Sequence, residues 1–243
     1  MPADILRLNM WSGPRNVSTA LMYAFAQRSD TRVIDEPLYG HYLRVSAARH
    51  PGANEVMAAM ECNGEKVIRN IILGPCDRPV LFMKQMAHHL VEISRDFFVH
   101  THNVLLTRDP VDMLPSLVNQ LKIPTLRDTG YKMQAQLLSE FHAIGQKFPV
   151  LDSRELLKNP RHVLTKLCDA LNIPFDPAML TWKAGPRPED GIWAQHWYHN
   201  VHKSTGFQPY RPKTEPFPHH LRPLLKECQP YYDQLYAHAI KAE

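Results

Sequence analysis

The stretch Trp11-Ser12-Gly13-Pro14-Arg15-Asn16-Val17-Ser18-Thr19 constrains this chain more than any other. Before it, the run Ile5-Leu6-Arg7-Leu8-Asn9-Met10 reads as a strand. After it, Ala20-Leu21-Met22-Tyr23-Ala24-Phe25 has helix-forming composition, and Gly13 and Pro14 break the first pattern before the second begins. A strand-loop-helix junction aims unpaired backbone N–H groups and the positive end of a helix dipole at whatever lies above it. Arg15, Ser18 and Thr19 add a fixed charge and two hydroxyl donors, so a phosphate or sulfate is the natural guest. Ordinary helix capping by Ser12, Asn16 or Ser18 is the alternative use of the same residues. The loop is not an ATP-type turn: counting from Gly13, Ser18, Thr19 and Ala20 stand where Gly, Lys and Ser/Thr are required.

A second junction has the same logic. Asn103-Val104-Leu105-Leu106-Thr107 reads as a buried strand, and Arg108-Asp109-Pro110-Val111-Asp112 as a helix start, with Asp109 suited to the N-cap and Pro110 to the first helical position. Arg108 and Arg15 then stand at the carboxyl ends of their strands, the edge where open α/β sheets bind ligands, and imply one ligand with two anionic groups. Ser116 lies two helical turns beyond Arg108 and shares an anion with it only if the chain doubles back; Pro115 is expected to bend that helix. A weak surface ion pair of Arg108 with Asp109 or Asp112 is the plain alternative.

At these residues the chain resembles the sulfotransferases that use 3′-phosphoadenosine 5′-phosphosulfate (PAPS). Pro14-Arg15-Asn16-Val17-Ser18-Thr19 is similar to the family's 5′-phosphosulfate loop, and Arg108-Asp109-Pro110 with Ser116 to its 3′-phosphate motif. Asp35-Glu36-Pro37-Leu38-Tyr39 resembles the E-P-L segment of carbohydrate-type and bacterial members, and the stretch from Leu151 to Pro160 resembles a Y-E-D-L-x-x-x-P segment, followed by a similar closing helix from Leu164 to Phe175. Lys203-Ser204-Thr205-Gly206-Phe207 resembles the carboxyl-terminal segment near the cofactor, which carries Lys203 into the set of cofactor-binding candidates with Gly13 through Thr19, Arg108 and Ser116. The resemblance implies a P-loop-like α/β fold of three layers, with a central, mostly parallel sheet flanked by helices. It also implies PAPS as donor, adenosine 3′,5′-bisphosphate (PAP) as product, and no required metal. Val17 departs from the family, which usually has Gly there; either the turn keeps φ negative at this position or the phosphosulfate sits further from the backbone.

Sulfuryl transfer needs in-line geometry, neutralisation of the departing oxygen and a base for the incoming hydroxyl. Arg15 is the candidate for the leaving phosphate. Glu36 is the first candidate for the base, because Thr31-Arg32-Val33-Ile34-Asp35 reads as a strand that Pro37 stops, leaving Glu36 at its ligand-facing end. A structural ion pair of Glu36 with Arg15 or Arg32 is the alternative. Val80-Leu81-Phe82-Met83 reads as a third strand with Lys84 near its end, placed to assist the sulfuryl oxygens, and His88 just beyond as the competing base. His88 and His89 do not form a metal pair, since adjacent side chains diverge.

At 243 residues and 44% hydrophobic, the chain is long enough for one sulfotransferase-like domain over residues 1–243 without disulfides or metal. A net charge of +4 with both signs interspersed suits an anionic cofactor and argues against nucleic acid as partner. Four cysteines without C-x-x-C spacing, an N-terminus that enters a strand within a few residues, and no window of membrane-span length point to a cytoplasmic protein with no membrane partner. Residues 47–76, with Pro51-Gly52 and Asn63-Gly64 as turns, read as an irregular insertion that would cover an acceptor pocket. Residues 184–218, rich in Pro, Gly, His and Trp, read as a lid or cofactor loop. Tyr131 to Lys147 carries a helical stripe of Met133, Leu137, Leu138, Phe141 and Ile144, Phe148 to Asp152 a short strand, and the segment from His219 onward an amphipathic helix with Leu221, Leu224, Leu225, Cys228, Tyr231, Leu235 and Ile240.

The acceptor is expected to be a small molecule with a hydroxyl or amine. Trp11, Tyr39, Tyr42, Trp193, Trp197 and Tyr198 either line a pocket for a ring, a sugar face or a cation, or pack in the core. Two other classes compete: a non-catalytic nucleotide-binding module, suggested by Val17, and a kinase-like NTPase, disfavoured by the missing Gly-Lys pair. The residues leave the oligomeric state open.

Overall fold

The computed structural model describes residues 5–48 and 50–243. In chain order it holds β1 (Leu6–Ser12), α1 (Ser18–Ala26), β2 (Thr31–Asp35), α2 (Tyr39–Ser46), α3 (Ala53–Ala59), α4 (Gly64–Val67) and β3 (Val80–Met86). Then come β4 (His102–Thr107), α5 (Pro110–Leu117), α6 (Leu126–Thr129), α7 (Tyr131–Ala143), β5 (Val150–Asp152), α8 (Ser153–Lys158), α9 (Pro160–Ala170), α10 (Ala194–Trp197) and α11 (Arg222–Ala237). The chain is α/β, with one five-stranded parallel sheet of order β2-β3-β1-β4-β5. Contacts gather into two compact units: the chain up to Met10 with Ser18–His102 and Asp176–Phe207, and Trp11–Val17 with Asn103–Phe175 and Gln208–Glu243.

In the first unit β2 runs parallel to β3, from Thr31 beside Val80 to Asp35 beside Lys84. All seven residues of β3 are buried, so the strand shows no polar-out alternation; this is the signature of a strand covered on both faces. It also extends three residues past the expected Met83, which puts Lys84 inside the strand rather than at its end. α1 packs on β2 and β3, with Phe25 stacked on Phe82 at 4.2 Å between ring centres. The segment 47–76, expected to be irregular, is largely helical. Gly52 at φ +71 precedes α3, and the Asn63 side chain accepts from the Lys66 N–H to cap α4, so both turn signals punctuate helices instead of opening a loop. A π-helical turn, Ile68–Ile72, follows.

The second unit pairs β4 with β5 in parallel, Leu105 beside Val150 to Thr107 beside Asp152, and packs α11 on α7 and β5. α5 starts as its sequence implies, with the Asp109 carboxylate accepting from the Val111 N–H and Pro110 in the first turn, and it ends two residues past Pro115. Asp152 and Asn159 cap α8 and α9 in the same way. The α7 stripe holds at Leu137, Leu138 and Phe141, but Ile144 lies beyond the helix and is exposed. On α11 it is Tyr232, not Tyr231, that is buried with Cys228 and Leu235.

Candidate functional site

The second unit contains both arginines of the expected anion site. Arg15 adopts a left-handed conformation at φ +56, an uncommon state for a residue other than glycine, and its Nε donates to Ser116 Oγ at 3.0 Å. Val17 is not among the residues with positive φ, so the first of the two alternatives for this position holds. Arg108 Nη1 donates to the Arg15 carbonyl at 2.6 Å, and the Tyr131 hydroxyl donates to the Arg108 carbonyl at 2.6 Å. Asp109, one of the two partners that a plain surface ion pair of Arg108 would use, instead faces Arg154 at 3.4 Å. Gly13 is required by space: a Cβ there would stand 2.8 Å from the Thr129 carbonyl oxygen. Gln134 Nε2 donates to the carbonyls of Leu106 and Trp11, tying both strand ends to α7.

The cradle is strongly cationic. Burial and the neighbouring Arg108 lower the Arg15 pKa. Burial and Arg108 also depress Lys213, a residue that carried no motif signal in the sequence. Asp112 and Glu215 oppose that depression at Lys213, and an anion bound beside Arg15 and Arg108 would relieve the repulsion between the two guanidinium groups. A cleft lined by Gly13, Asn16, Thr107 and Arg108 includes Thr107 Oγ1, a buried hydroxyl with no hydrogen-bond partner among the described residues. The guanidinium of Arg108, the Asn16 amide and the Thr107 hydroxyl are donors that fit an anionic group such as a nucleotide phosphate.

Glu36 and Lys84 meet in the first unit. Lys84 Nζ donates to Asp35 Oδ1 at 2.9 Å, to Glu36 Oε1, and to the Tyr198 hydroxyl at 3.0 Å, and its side chain is 2% exposed. The register explains the first contact, because residues paired across parallel strands point to the same face. Glu36 is also left-handed, at φ +41, although it precedes Pro37 and would ordinarily be extended. Strain of this kind costs roughly 1–3 kcal/mol and marks a position that its surroundings hold in place. Burial raises the Glu36 pKa, Lys84 opposes that, and Asp35 adds to it; the net direction is upward. Burial works to discharge Lys84, but Asp35 and Glu36 outweigh it and hold the ammonium well above its usual range. Arg32, the other expected partner of Glu36, pairs with Asp77 instead.

Ser18 and Thr19 open α1, and Lys203 closes the short turn Val201–Lys203 in an exposed position. His88 packs edge-on against Tyr42 and His89. Of the six candidate pocket aromatics, Trp11 is core in the second unit, its indole N–H bonded to Asn103 at 2.8 Å. Tyr39, Tyr42, Trp193 and Tyr198 form one buried cluster with Trp197 against it in the first unit. Trp193 and Tyr198 show that the middle of the 184–218 segment is anchored rather than loose. Among the described residues no group of three or more His, Cys, Asp or Glu is arranged to hold a metal, and no helix is long and apolar enough to cross a membrane.

His89 stacks on Tyr39 and Tyr42, with ring centres 5.0 and 4.6 Å away, and its Nδ1 has no hydrogen-bond partner among the described residues. Burial, then the charges of His88 and other neighbours, push its pKa well below the usual value. The unfolded chain therefore takes up a proton that the folded chain refuses. This stability is present above pH ~6.5 and is lost as the pH falls from there toward the lower folded value, by up to about 1.4 kcal/mol per unit. The urea midpoint is expected to drop between pH 7 and 5.5, and His89→Phe, which keeps the stacking, should flatten the drop. An equal drop in both proteins would remove His89 as the cause.

The model of the family described as sulfotransferase domain matches residues 6–239. Two Arabidopsis thaliana proteins, named branched-chain-amino-acid aminotransferase-like proteins 1 and 2, are each 39% identical over 95% of this chain. The match spans only 42% and 41% of their lengths. Among solved structures, a sulfotransferase domain from the curacin biosynthetic pathway superposes with a TM-score of 0.60 at 18% identity, covering 96% of this chain and 98% of that one. The sulfotransferase domain of the Synechococcus PCC 7002 olefin synthase gives 0.55 at 16% identity, covering 93% and 95%. A sulfotransferase from Alicyclobacillus acidocaldarius gives 0.55 at 11%, covering 96% and 94%. At these identities the structures speak for the fold, and the match of the family model along nearly the whole sequence speaks for descent: the chain belongs to the sulfotransferase domain family.

Proposed function

We propose that this protein transfers a sulfuryl group from PAPS to a hydroxyl or amine of a small-molecule acceptor. The observation that carries the reading is the cation cluster of Arg15, Arg108 and Lys213, in which Arg108 depresses both of the others. Such a cluster suits the two phosphate groups of a 3′,5′-bisphosphate nucleotide; Asp112 and Glu215 offset part of the charge at Lys213. PAPS supplies an activated sulfur whose bond to the 5′-phosphate oxygen breaks as the acceptor oxygen or nitrogen attacks.

Arg15 neutralises the phosphate oxygen that departs, and Ser116 fixes the direction of its guanidinium. Arg108 and Lys213 hold the nucleotide's other anionic group. Glu36 takes the proton of the acceptor, a role to which a carboxyl with a raised pKa is suited near neutral pH. Lys84, engaged by two carboxylates and a tyrosine, serves to hold Glu36 rather than to contact the sulfuryl oxygens. The four cysteines are free thiols, which supports a reducing, cytosolic setting.

Calorimetry with adenosine 3′,5′-bisphosphate followed by an acceptor screen with labelled PAPS tests the reading. The expected result is a saturable site for the bisphosphate and label transferred to at least one hydroxyl or amine acceptor. Binding without transfer to any acceptor would make the chain a nucleotide-binding module, and magnesium-dependent ATP turnover would make it kinase-like.

A further inference from the structure

Asp35, Glu36, Lys84 and Tyr198 form a cluster with more carboxyl groups than cations. One ammonium faces two carboxyls, and the three side chains are 2%, 1% and 11% exposed for Lys84, Asp35 and Glu36. Fully ionised, the three would leave an uncompensated negative charge in the interior, which is costly, so the cluster tends to keep one proton on a carboxyl.

The hydrogen bonds tell the two carboxyls apart. Asp35 accepts from Lys84 Nζ on Oδ1, and on Oδ2 from the Tyr198 hydroxyl at 2.6 Å and the Gly191 N–H at 3.3 Å. Glu36 accepts from Lys84. The direction of the tyrosine proton is forced. Its oxygen already receives Lys84 Nζ and, at 3.3 Å, the indole N–H of Trp193, and neither of those donors can accept. The hydroxyl hydrogen therefore has Asp35 as its acceptor. Several donors on one oxygen pair favour its charged form, and a single shared donor favours it less.

We propose that Asp35 and Tyr198 are positioning residues: together they hold Lys84 as a standing cation paired to Asp35 and leave Glu36 as the carboxyl of this cluster that exchanges a proton. The groups facing Glu36 and its partners are Asp35 on β2, Lys84 on β3, Tyr39 on α2, Tyr198 just after α10, Tyr23 on α1, which faces Asp35 and is kept protonated by burial and Asp190, and His89, whose charge would oppose that of Lys84. Tyr39 and Tyr198 keep their protons, since burial raises both of them, and His89 stays neutral. Among the described residues, the charges that act on Glu36 are those of Lys84 and Asp35. Their placement follows from strand register and from Tyr198, contributed by the 184–207 part of the expected lid.

The use of this arrangement in catalysis rests on the sulfotransferase reading; its existence does not, and the test separates the two. Carbon-13 carboxyl NMR of the full chain, without donor or acceptor, reads the Glu36 titration directly. Asp35→Asn removes the negative charge that opposes ionisation of Glu36 and leaves Lys84 to it alone, so the Glu36 midpoint is expected to fall by about 1–3 pH units. Tyr198→Phe withdraws one donor from Asp35, and the shared proton should then divide between the two carboxyls, reducing the amplitude of the Glu36 titration. A purely structural role predicts neither change. An unmoved midpoint in a folded Asp35→Asn protein, or an unchanged titration curve in Tyr198→Phe should the asparagine variant not fold, overturns the proposal. If transfer is found, the acid limb of kcat/KM should shift down with the NMR midpoint in Asp35→Asn. A wild-type protein that transfers no label while its NMR behaves as expected sinks the sulfotransferase reading alone.

Discussion

The Glu36→Gln protein is expected to bind adenosine 3′,5′-bisphosphate as the parent does and to transfer sulfuryl groups about 10²–10⁴-fold more slowly, the range over which a positioned base usually acts. The substitution is a clean probe because the amide oxygen can still accept from Lys84, and the cluster that remains, one ammonium and Asp35, is neutral. Loss of turnover with an unchanged or higher urea midpoint would therefore point to proton transfer and not to damage. Turnover at the parental rate would move the base role to His88, which stands with Tyr42 and His89 rather than in the carboxylate cluster.

Arg108→Ala should reduce bisphosphate affinity by roughly 10- to 150-fold, corresponding to the ~1.5–3 kcal/mol of a hydrogen bond to a charged group. Two losses combine in this variant. A phosphate loses a guanidinium, and the Arg15 carbonyl loses the donor that holds the left-handed loop residue in place. Arg108→Lys should recover only part of the affinity, because an ammonium cannot serve an anion and the Arg15 carbonyl with a planar fork. The deficit should narrow as salt rises, since the parent's own charge-driven affinity falls with it. Equal affinity in the alanine variant and the parent, measured by calorimetry at low salt, would mean that the nucleotide sits elsewhere.

How much of this was readable in advance depends on the range of the interaction. The Asp109-Pro110 helix start, the Gly13-Pro14 break and the strand at Thr31–Asp35 are local, set by which backbone angles and caps a few consecutive residues allow, and each is found where the sequence places it. The irregular reading of residues 47–76 failed for a local reason too: Gly and Asn start short helices as readily as they make turns, and without a partner surface the two uses look alike. The length of β3 was underestimated because Lys84 and Gln85 are polar, and only burial against neighbouring elements turns a polar pair into strand interior.

The site divides along the same line. Arg15, Arg108 and Ser116 were visible because their motifs sit at strand and helix ends. Lys213 was not, and Tyr198 was visible only as a pocket or core aromatic and not as a partner of Asp35 and Lys84, because each reaches these partners from about a hundred residues or more away. The sequence by itself determined that this is an α/β chain of the sulfotransferase kind with two arginines at strand ends, since strand, turn and cap signals are short-range. Only the tertiary structure decided that Arg15 and Glu36 are among the residues held at positive φ, that Lys84 is locked to two carboxyls, and that Asp35 has more hydrogen-bond donors than Glu36. The reason is physical: the charge state of a buried group depends on what register and packing bring beside it, and neighbours in space are not neighbours along the chain.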